Sequence, residues 1–184
     1  MQEALELLVK QAQNGDSTAL EELLFAYEKR VYNIAYRYMG NEADAFDMAQ
    51  ETLIKIYKRI RAFKGESSFS SWVYRITVNT CLDGLRKHKK NVISLEGTLE
   101  SGASYKDEKM DTPEETAVRK ERQKFVQRAI NALSPDHKSV IILRDINGLS
   151  YEEVALCLSV SVGTVKSRIS RARQKLKEIL LEFT

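Results

Sequence analysis

Disulfide and metal chemistry have little to work with in this chain. Cys81 and Cys157 stand alone, without C-x-x-C spacing, and neither His88 nor His137 falls at ligand spacing from them. That pattern argues against a structural zinc site and reads as two buried free thiols in a reducing cytoplasm. No nucleophile–base pair, glycine-rich phosphate loop or metal-ligand cluster is present, so neither an enzyme nor a cofactor is expected. The N-terminal stretch 1–16 alternates apolar and charged residues, and no segment approaches the ~20 apolar residues of a membrane span. Neither a signal peptide nor direct membrane insertion is expected. Only two prolines and eight glycines interrupt 184 residues, which favours an all-α protein.

What is present is core-forming material and unevenly placed charge. Hydrophobic residues make up 43% and charged residues 30%, enough to bury a core. Residues 1–91 carry 14 Lys/Arg against 12 Asp/Glu, residues 92–118 carry 2 against 7, and residues 119–184 carry 13 against 7. An acidic stretch between two mildly basic blocks resembles a linker. No helical or strand period persists through Asn91–Asp111. The chain therefore reads as two small helical domains, 1–91 and 112–184, joined by a flexible acidic linker over 92–111.

Local signals punctuate both domains. Asp16 is placed to cap a helix through Leu20, Leu23, Tyr27, Val31, Ile34 and Tyr38, stopped by Gly40. Asn41 caps the next, which runs to about Ile60 with Ala45, Ala49 and Ile56 inward. A loop over 62–70 with Gly65 and three serines precedes a helix over roughly 71–87, where Trp72, Ile76, Asn79 and Asp83 share one side. That helix ends in the basic run Arg86, Lys87, His88, Lys89, Lys90. After the linker, Thr112 and Pro113 open a helix to Leu133, with Glu115 completing a capping box. Ser134 and Pro135 open a short helix holding Val140–Leu143, which Gly148 closes. Ser150 with Glu153 makes another capping box, starting the helix 151–158. A turn over 159–161 leads into a last helix, 162 to about 181.

The last two helices carry a helix-turn-helix signature. Val165, Ile169, Ala172, Leu176 and Ile179 step by four and three, giving one packing stripe. The opposite face centres on Ser167, Ser170, Arg171 and Gln174, with Thr164 and Lys166 at its edges. No acid appears before Glu178, while Lys166, Arg168, Arg171, Arg173, Lys175 and Lys177 are basic. Short hydroxyl side chains admit close approach to base edges, and Arg and Lys reach guanine or phosphate. A basic solvated surface helix is the plainer alternative.

These residues carry a resemblance. The run SYEEVALCLSVSVGTVKSRISRAR, Ser150 to Arg173, resembles the region 4 helix-turn-helix of extracytoplasmic-function sigma factors, in the sigma-70 family. DAFDMAQE over 44–51 resembles region 2.2, and FSSWVYRITVNTCLD over 69–83 resembles regions 2.3 to 2.4. The resemblance covers about 17–91 and 112–181. It implies an alternative-sigma transcription initiation factor that binds core RNA polymerase and directs it to −35/−10 promoters. Asp44, Asp47, Gln50 and Glu51 would meet the clamp helices of the β′ subunit, and region 4 would also meet the β flap. Phe63, Ser67, Ser68 and Asn79 would form a pocket for a base flipped from the melted −10 strand, with Arg75, Arg86 and Lys87 neutralising its backbone. Trp72 reads first as core, and Asp83 as the partner of a nearby cation. Lys166, Ser167, Ser170 and Arg171 would read −35 bases, while Thr164, Arg168 and Arg173 would meet phosphate. An anti-sigma factor, often membrane-anchored in this family, is the further partner implied. Two rivals stand beside this reading: a conventional helix-turn-helix regulator on operator DNA, which leaves 41–83 unexplained, and a helical scaffold without a DNA role.

Overall fold

A computed structural model describes residues 2–92 and 113–182. Among these the chain forms eight α-helices and no strand. The linker expected over 92–111 lies, beyond Val92, outside the described residues, as does Thr112.

In the N-terminal half, α1 (Gln2–Gln13), α2 (Ser17–Met39), α3 (Glu42–Arg59) and α4 (Phe69–Val92) pack around one core. Asp16 caps α2 as expected, its Oδ1 accepting from the N–H groups of Thr18 at 2.9 Å and Ala19 at 3.1 Å. The three-four spacing then buries Leu23, Tyr27, Val31, Ile34 and Tyr38 on one side of the helix. Full burial of each such aliphatic side chain is worth roughly 1.5–3 kcal/mol, so Val31→Asp would unseat α2. Gly40 ends the helix in the left-handed conformation, φ 80°, donating its N–H to Tyr36 O at 2.9 Å. Asn41 caps α3 directly afterwards, which folds α3 back along α2.

The helix α1 was not among the elements expected. Its burial of Val9 and Ala12, with Leu5 and Leu8 beside them, follows a helical period that the alternation of charges along 1–16 masks. Gln13 closes its packing: its Nε2 donates to Ile60 O at 3.2 Å and Phe63 O at 2.7 Å. Those carbonyls belong to a single 3₁₀ turn, Ile60–Ala62, and the loop after it. The next helix runs on to Val92, later than the spacing suggested, and it starts earlier because Ser68 caps it: its Oγ accepts from Ser71 N–H at 3.1 Å.

In the C-terminal half, α5 (Pro113–Asn131) leads to α6 (Pro135–Val140), which continues as a π-helical stretch, Ile141–Ile146. Asn147 secures that wider turn, with both its N–H and its side-chain amide donating to Ile142 O. Then come α7 (Tyr151–Leu158) and α8 (Val162–Glu182). Both bonds of the Ser150–Glu153 capping box form. Ser134 occupies its expected cap position without a side-chain cap bond.

The two halves are in contact. Their buried apolar residues form one cluster that runs through Tyr38, Cys81, Val140 and Cys157. At one seam α5 and α6 supply the missing cap of α2. Gln127 Nε2 donates to Arg37 O at 3.1 Å, and Lys138 Nζ donates to Tyr38 O at 2.6 Å. These are last-turn carbonyls that α2 itself leaves without partners. Asn131 Oδ1 accepts from both donors, at 3.0 and 2.8 Å. The other seam joins α4 to α7.

Candidate nucleic-acid interface

The helix-turn-helix forms from local chemistry. Ser159 takes the left-handed conformation at φ 55° and ends α7. Ser161 Oγ accepts from Thr164 N–H at 3.1 Å and starts α8. Val165, Ile169, Ala172 and Ile179 are buried, and Leu176 is partly so. The opposite face is then fixed by the 3.6-residue period, and Lys166, Ser167, Ser170 and Arg171 are all exposed there. Lys166 and Arg171 form no ion pair among the described residues.

Three other residues expected on this surface are already engaged. Arg168 pairs with Asp136 at 2.7 Å. Arg173 is held by both carboxylate oxygens of Asp145, at 2.6 and 3.0 Å, which raises its pKa further. Thr164 shares a 2.9 Å hydrogen bond with Ser161. Exposed pairs of this kind are worth about 0–1 kcal/mol, so the two arginines are oriented rather than locked.

A second basic surface lies between α3 and α4, a groove of about 390 Å³. Trp72, Ile76, Asn79 and Asp83 all line it, as their shared spacing along α4 suggested. Arg75 and Asn79 stand exposed among buried neighbours. Asp83 pairs with Arg86 at 3.0 Å. The opposing wall carries Lys55 and Arg59, which the sequence reading passed over. The signal is in the four cations Lys55, Lys58, Arg59 and Arg61, which follow directly on the acidic start of α3. Lys55 bridges Glu51 at 2.7 Å and Thr80 Oγ1 at 3.0 Å. Arg59 and Arg75 form no ion pair among the described residues. A groove with cations on both walls and an amide at its centre suits a phosphodiester strand carrying bases. Lys87 is exposed but does not line it.

The loop end of the groove departs from expectation. Phe63 was expected to offer its ring to a base. It instead packs on Phe69 and Trp72, with centroids 5.4 and 5.3 Å apart. Trp72 is correspondingly core, 8% exposed. Ser67 donates weakly to Ser68 O, and Ser68 is the cap of α4. Beyond them, Ser71 Oγ donates to Glu153 Oε1 at 2.7 Å and Ser68 Oγ reaches the same oxygen at 3.5 Å. The Ser150 N–H, then Ser71, hold the Glu153 carboxyl below its ordinary range. Cys157 Sγ donates to Ser71 O at 3.4 Å, and burial pushes its thiol up to about 12.

On α3, Asp47 and Gln50 are exposed, Asp44 is half-buried beside Asn41, and Glu51 is drawn to Lys55. The expected acidic stripe is therefore narrower than its helical spacing suggested. What the reading missed is apolar. Phe46 is 55% exposed, and with Leu53 and Gln50 it borders a small cleft shared with Tyr32 and Glu28 of α2.

A helix-turn-helix with an exposed polar and basic face, together with a basic groove in the other half of the chain, is the architecture of a DNA-binding protein. Sigma-70 region 2 matches residues 23–91, and sigma-70 region 4 matches residues 126–176. The ECF RNA polymerase sigma-E factor of Salmonella typhimurium is 37% identical over 177 residues, covering 93% of this chain and 91% of its own. The Haemophilus influenzae sigma-E factor is 36% identical over 176 residues, covering 92% of each. Among solved structures, the Bartonella quintana sigma factor RpoE, in complex with the anti-sigma factor NepR, superposes with TM-score 0.71 at 26% identity, covering 87% of this chain and 95% of that one. CnrH, in complex with the cytosolic domain of CnrY, shares the fold with TM-score 0.71 at 24% identity over 97% of both chains. The chain belongs to the extracytoplasmic-function sigma factors of the sigma-70 family, and is an alternative sigma factor. The match through both halves sets aside the conventional operator-binding regulator. Among the described residues no helix is long and apolar enough to cross a membrane.

Proposed function

We propose that the two surfaces divide promoter recognition between them. Residues 112–184 act as the region 4 domain, laying α8 in the major groove of the −35 duplex. Lys166, Ser167, Ser170 and Arg171 face base edges there, while Thr164, Arg168 and Arg173 meet phosphate. Residues 1–91 act as the region 2 domain, whose groove takes the melted −10 strand. Asn79 reads a base, and Arg75, Arg86 and Lys87, joined by Lys55 and Arg59, neutralise the backbone. Ser67 and Ser68 flank the entry, and Phe63 supports it from beneath as part of the aromatic cluster. The linker 92–111 joins the two units.

On this reading Asp44, Asp47 and Gln50 on α3 meet the β′ clamp helices, with Glu51 as a flanking carboxylate and Phe46 and Leu53 as the apolar anchor. Region 4 also contacts the β flap. An anti-sigma factor, membrane-anchored or soluble, sequesters the free protein in the cytoplasm. The protein contributes binding and strand capture, and the polymerase does the chemistry.

The observation that carries this proposal is the face of α8, where four residues suited to base contact stand exposed opposite the apolar packing stripe. Run-off transcription with purified core polymerase and genomic DNA tests it. Transcripts with discrete starts that depend on this chain are expected, and their absence would overturn the proposal.

A further inference from the structure

The helix α1 stands outside the stretch matched by sigma-70 region 2, 23–91, and it carries none of the residues proposed above to meet polymerase or DNA. Its C-terminal end is nonetheless tightly fixed. Asp16 N–H donates to Gln11 O and Gly15 N–H to Ala12 O, both at 3.1 Å, with Gly15 left-handed at φ 98°. That closes α1 in a Schellman motif. The Asp16 carboxylate then opens α2, so one residue ends the first helix and starts the second. Val9 and Ala12 are buried and seat α1 on its neighbours. The α1–α2 hairpin is therefore a stiff frame.

From that frame two side chains reach the loop 63–68, one at each end. Gln13, the last residue of α1, has two amide protons for two carbonyls, Ile60 O and Phe63 O. The second of these is where the chain leaves the 3₁₀ turn in extended conformation, φ −71° and ψ 116°. At the far end Tyr27 of α2 shares a 2.6 Å hydrogen bond with Ser70, in the first turn of α4. The Tyr27 ring also stands edge-on to Phe69, their centroids 5.3 Å apart. Phe63 and Phe69 pack on each other and on Trp72, and Trp72 lines the α3–α4 groove. The loop is thus pinned at its start and at its end by two residues that do not themselves line the groove.

We infer that Gln13 and Tyr27 are positioning residues for this loop, and that α1 thereby sets discrimination among −10 bases without touching DNA. What the loop does rests on the function proposed above; that the hairpin braces it does not. A loop held in one shape before the strand arrives loses less conformational entropy on binding, and it admits fewer wrong bases. Without Gln13, water can take over both carbonyls, so the fold survives while the loop gains freedom to shift. The loss falls on selectivity rather than on stability.

Three variants of the full chain, each assembled with core polymerase, test the brace. Gln13→Met keeps the side-chain length and removes both donors, Gln13→Lys puts an ammonium donor back, and Tyr27→Phe keeps the ring on Phe69 and removes the hydroxyl. Each holoenzyme is titrated with fork-junction DNA from a promoter mapped by run-off transcription, its −10 strand single and carrying each base in turn. Gln13→Met and Tyr27→Phe should discriminate at least about fivefold less between the preferred base and the others, and Gln13→Lys should stay within about twofold of the natural chain. Affinity for core and for the −35 duplex should stay within about twofold in all three, since those contacts lie elsewhere. In the protein alone, hydrogen exchange over 64–68 should quicken in Gln13→Met and Tyr27→Phe but not in Gln13→Lys. Where the natural chain discriminates, equal discrimination in both Gln13→Met and Tyr27→Phe would overturn the inference. So would a loss shared equally by −35 and core binding, the mark of a merely structural role. A natural chain without preference among −10 bases, with exchange still quickened in those two variants, would support the brace and overturn the strand-capture reading instead.

Discussion

Lys138 holds its ammonium 2.6 Å from the carbonyl oxygen of Tyr38, one hundred residues earlier in the chain, and so caps a helix of the other half. Burial pushes its pKa down to about 8, against an ordinary value of 10.5. Between those values the unfolded chain keeps a proton that the folded chain has released, so this group's contribution to stability rises with pH across that window and is lost as pH falls through about 8. The neutral amine can still donate to Tyr38 O and to Asn131. Unfolding free energies of the natural chain and of Lys138→Met, measured at pH 7.5 and 10, should diverge by on the order of 2–3 kcal/mol in favour of the natural chain at the higher pH. Parallel profiles would mean the ammonium is hydrated.

Gly40 and Gly65 separate backbone strain from close packing. Both have positive φ, 80° and 73°, but a Cβ at Gly40 would lie 2.5 Å from Asn131 Nδ2, while one at Gly65 would meet nothing within 4 Å. Asn131 cannot easily retreat, because Gln127 and Lys138 both donate to it. Gly65→Ala should therefore cost only the left-handed penalty, about 1–2 kcal/mol. Gly40→Ala should cost more than that and also loosen the seam between the halves. Urea denaturation of the two variants decides it, and equal losses would show that Asn131 yields.

The helices that were legible in advance are those whose ends are written locally. Asp16, Asn41, Gly40 and the Ser150–Glu153 box each act within three or four residues, and the stripes of α2 and α8 repeat at the helical period. Much of what escaped depends on partners far away in the chain, although the helical period of α1 is local and was masked by alternating charge. The pairing of Glu51 with Lys55 was available in principle at i,i+4 spacing. The capture of Arg168 by Asp136 and of Arg173 by Asp145 was not, nor was the capping of α2 by Lys138. Asn79 and Arg75 were named through the resemblance, and both line the groove because α4 alone sets their direction. Their opposing wall, Lys55 and Arg59, needs the packing of α3 on α4, where Met48 lies close over Gly84 and a Cβ would meet its Sδ at 2.5 Å.

Phe46 offers a test of the polymerase surface that leaves the fold alone. It is 55% exposed, so Phe46→Asp removes no core contact of consequence. If the α2–α3 cleft is the docking face, loss of this aromatic anchor should weaken binding to core polymerase at least tenfold, about 1.4 kcal/mol or more. Thermal stability should shift by no more than a surface substitution does. Unchanged affinity in a core-binding titration would move the docking face elsewhere.

Arg171 and Arg173 stand two residues apart on α8 and should respond differently to the same truncation. Arg171 is exposed and without an ion pair among the described residues, so its full charge is available to a base edge. Arg171→Ala should cost about 1–3 kcal/mol on −35 duplexes mapped by run-off transcription, and should relax the preference at one base position. Arg173 must share its guanidinium with Asp145, so Arg173→Ala should cost less, uniformly across sequences, and flatten the salt dependence by about one counterion. Asp145→Asn then becomes informative: freeing Arg173 from a carboxylate while removing a negative charge near the DNA should tighten binding at low salt. Fluorescence anisotropy titrations at several salt concentrations read all three variants. If Arg173→Ala proves the more sequence-selective loss, the bidentate pair with Asp145 is broken on DNA and Arg173, not Arg171, is the base reader.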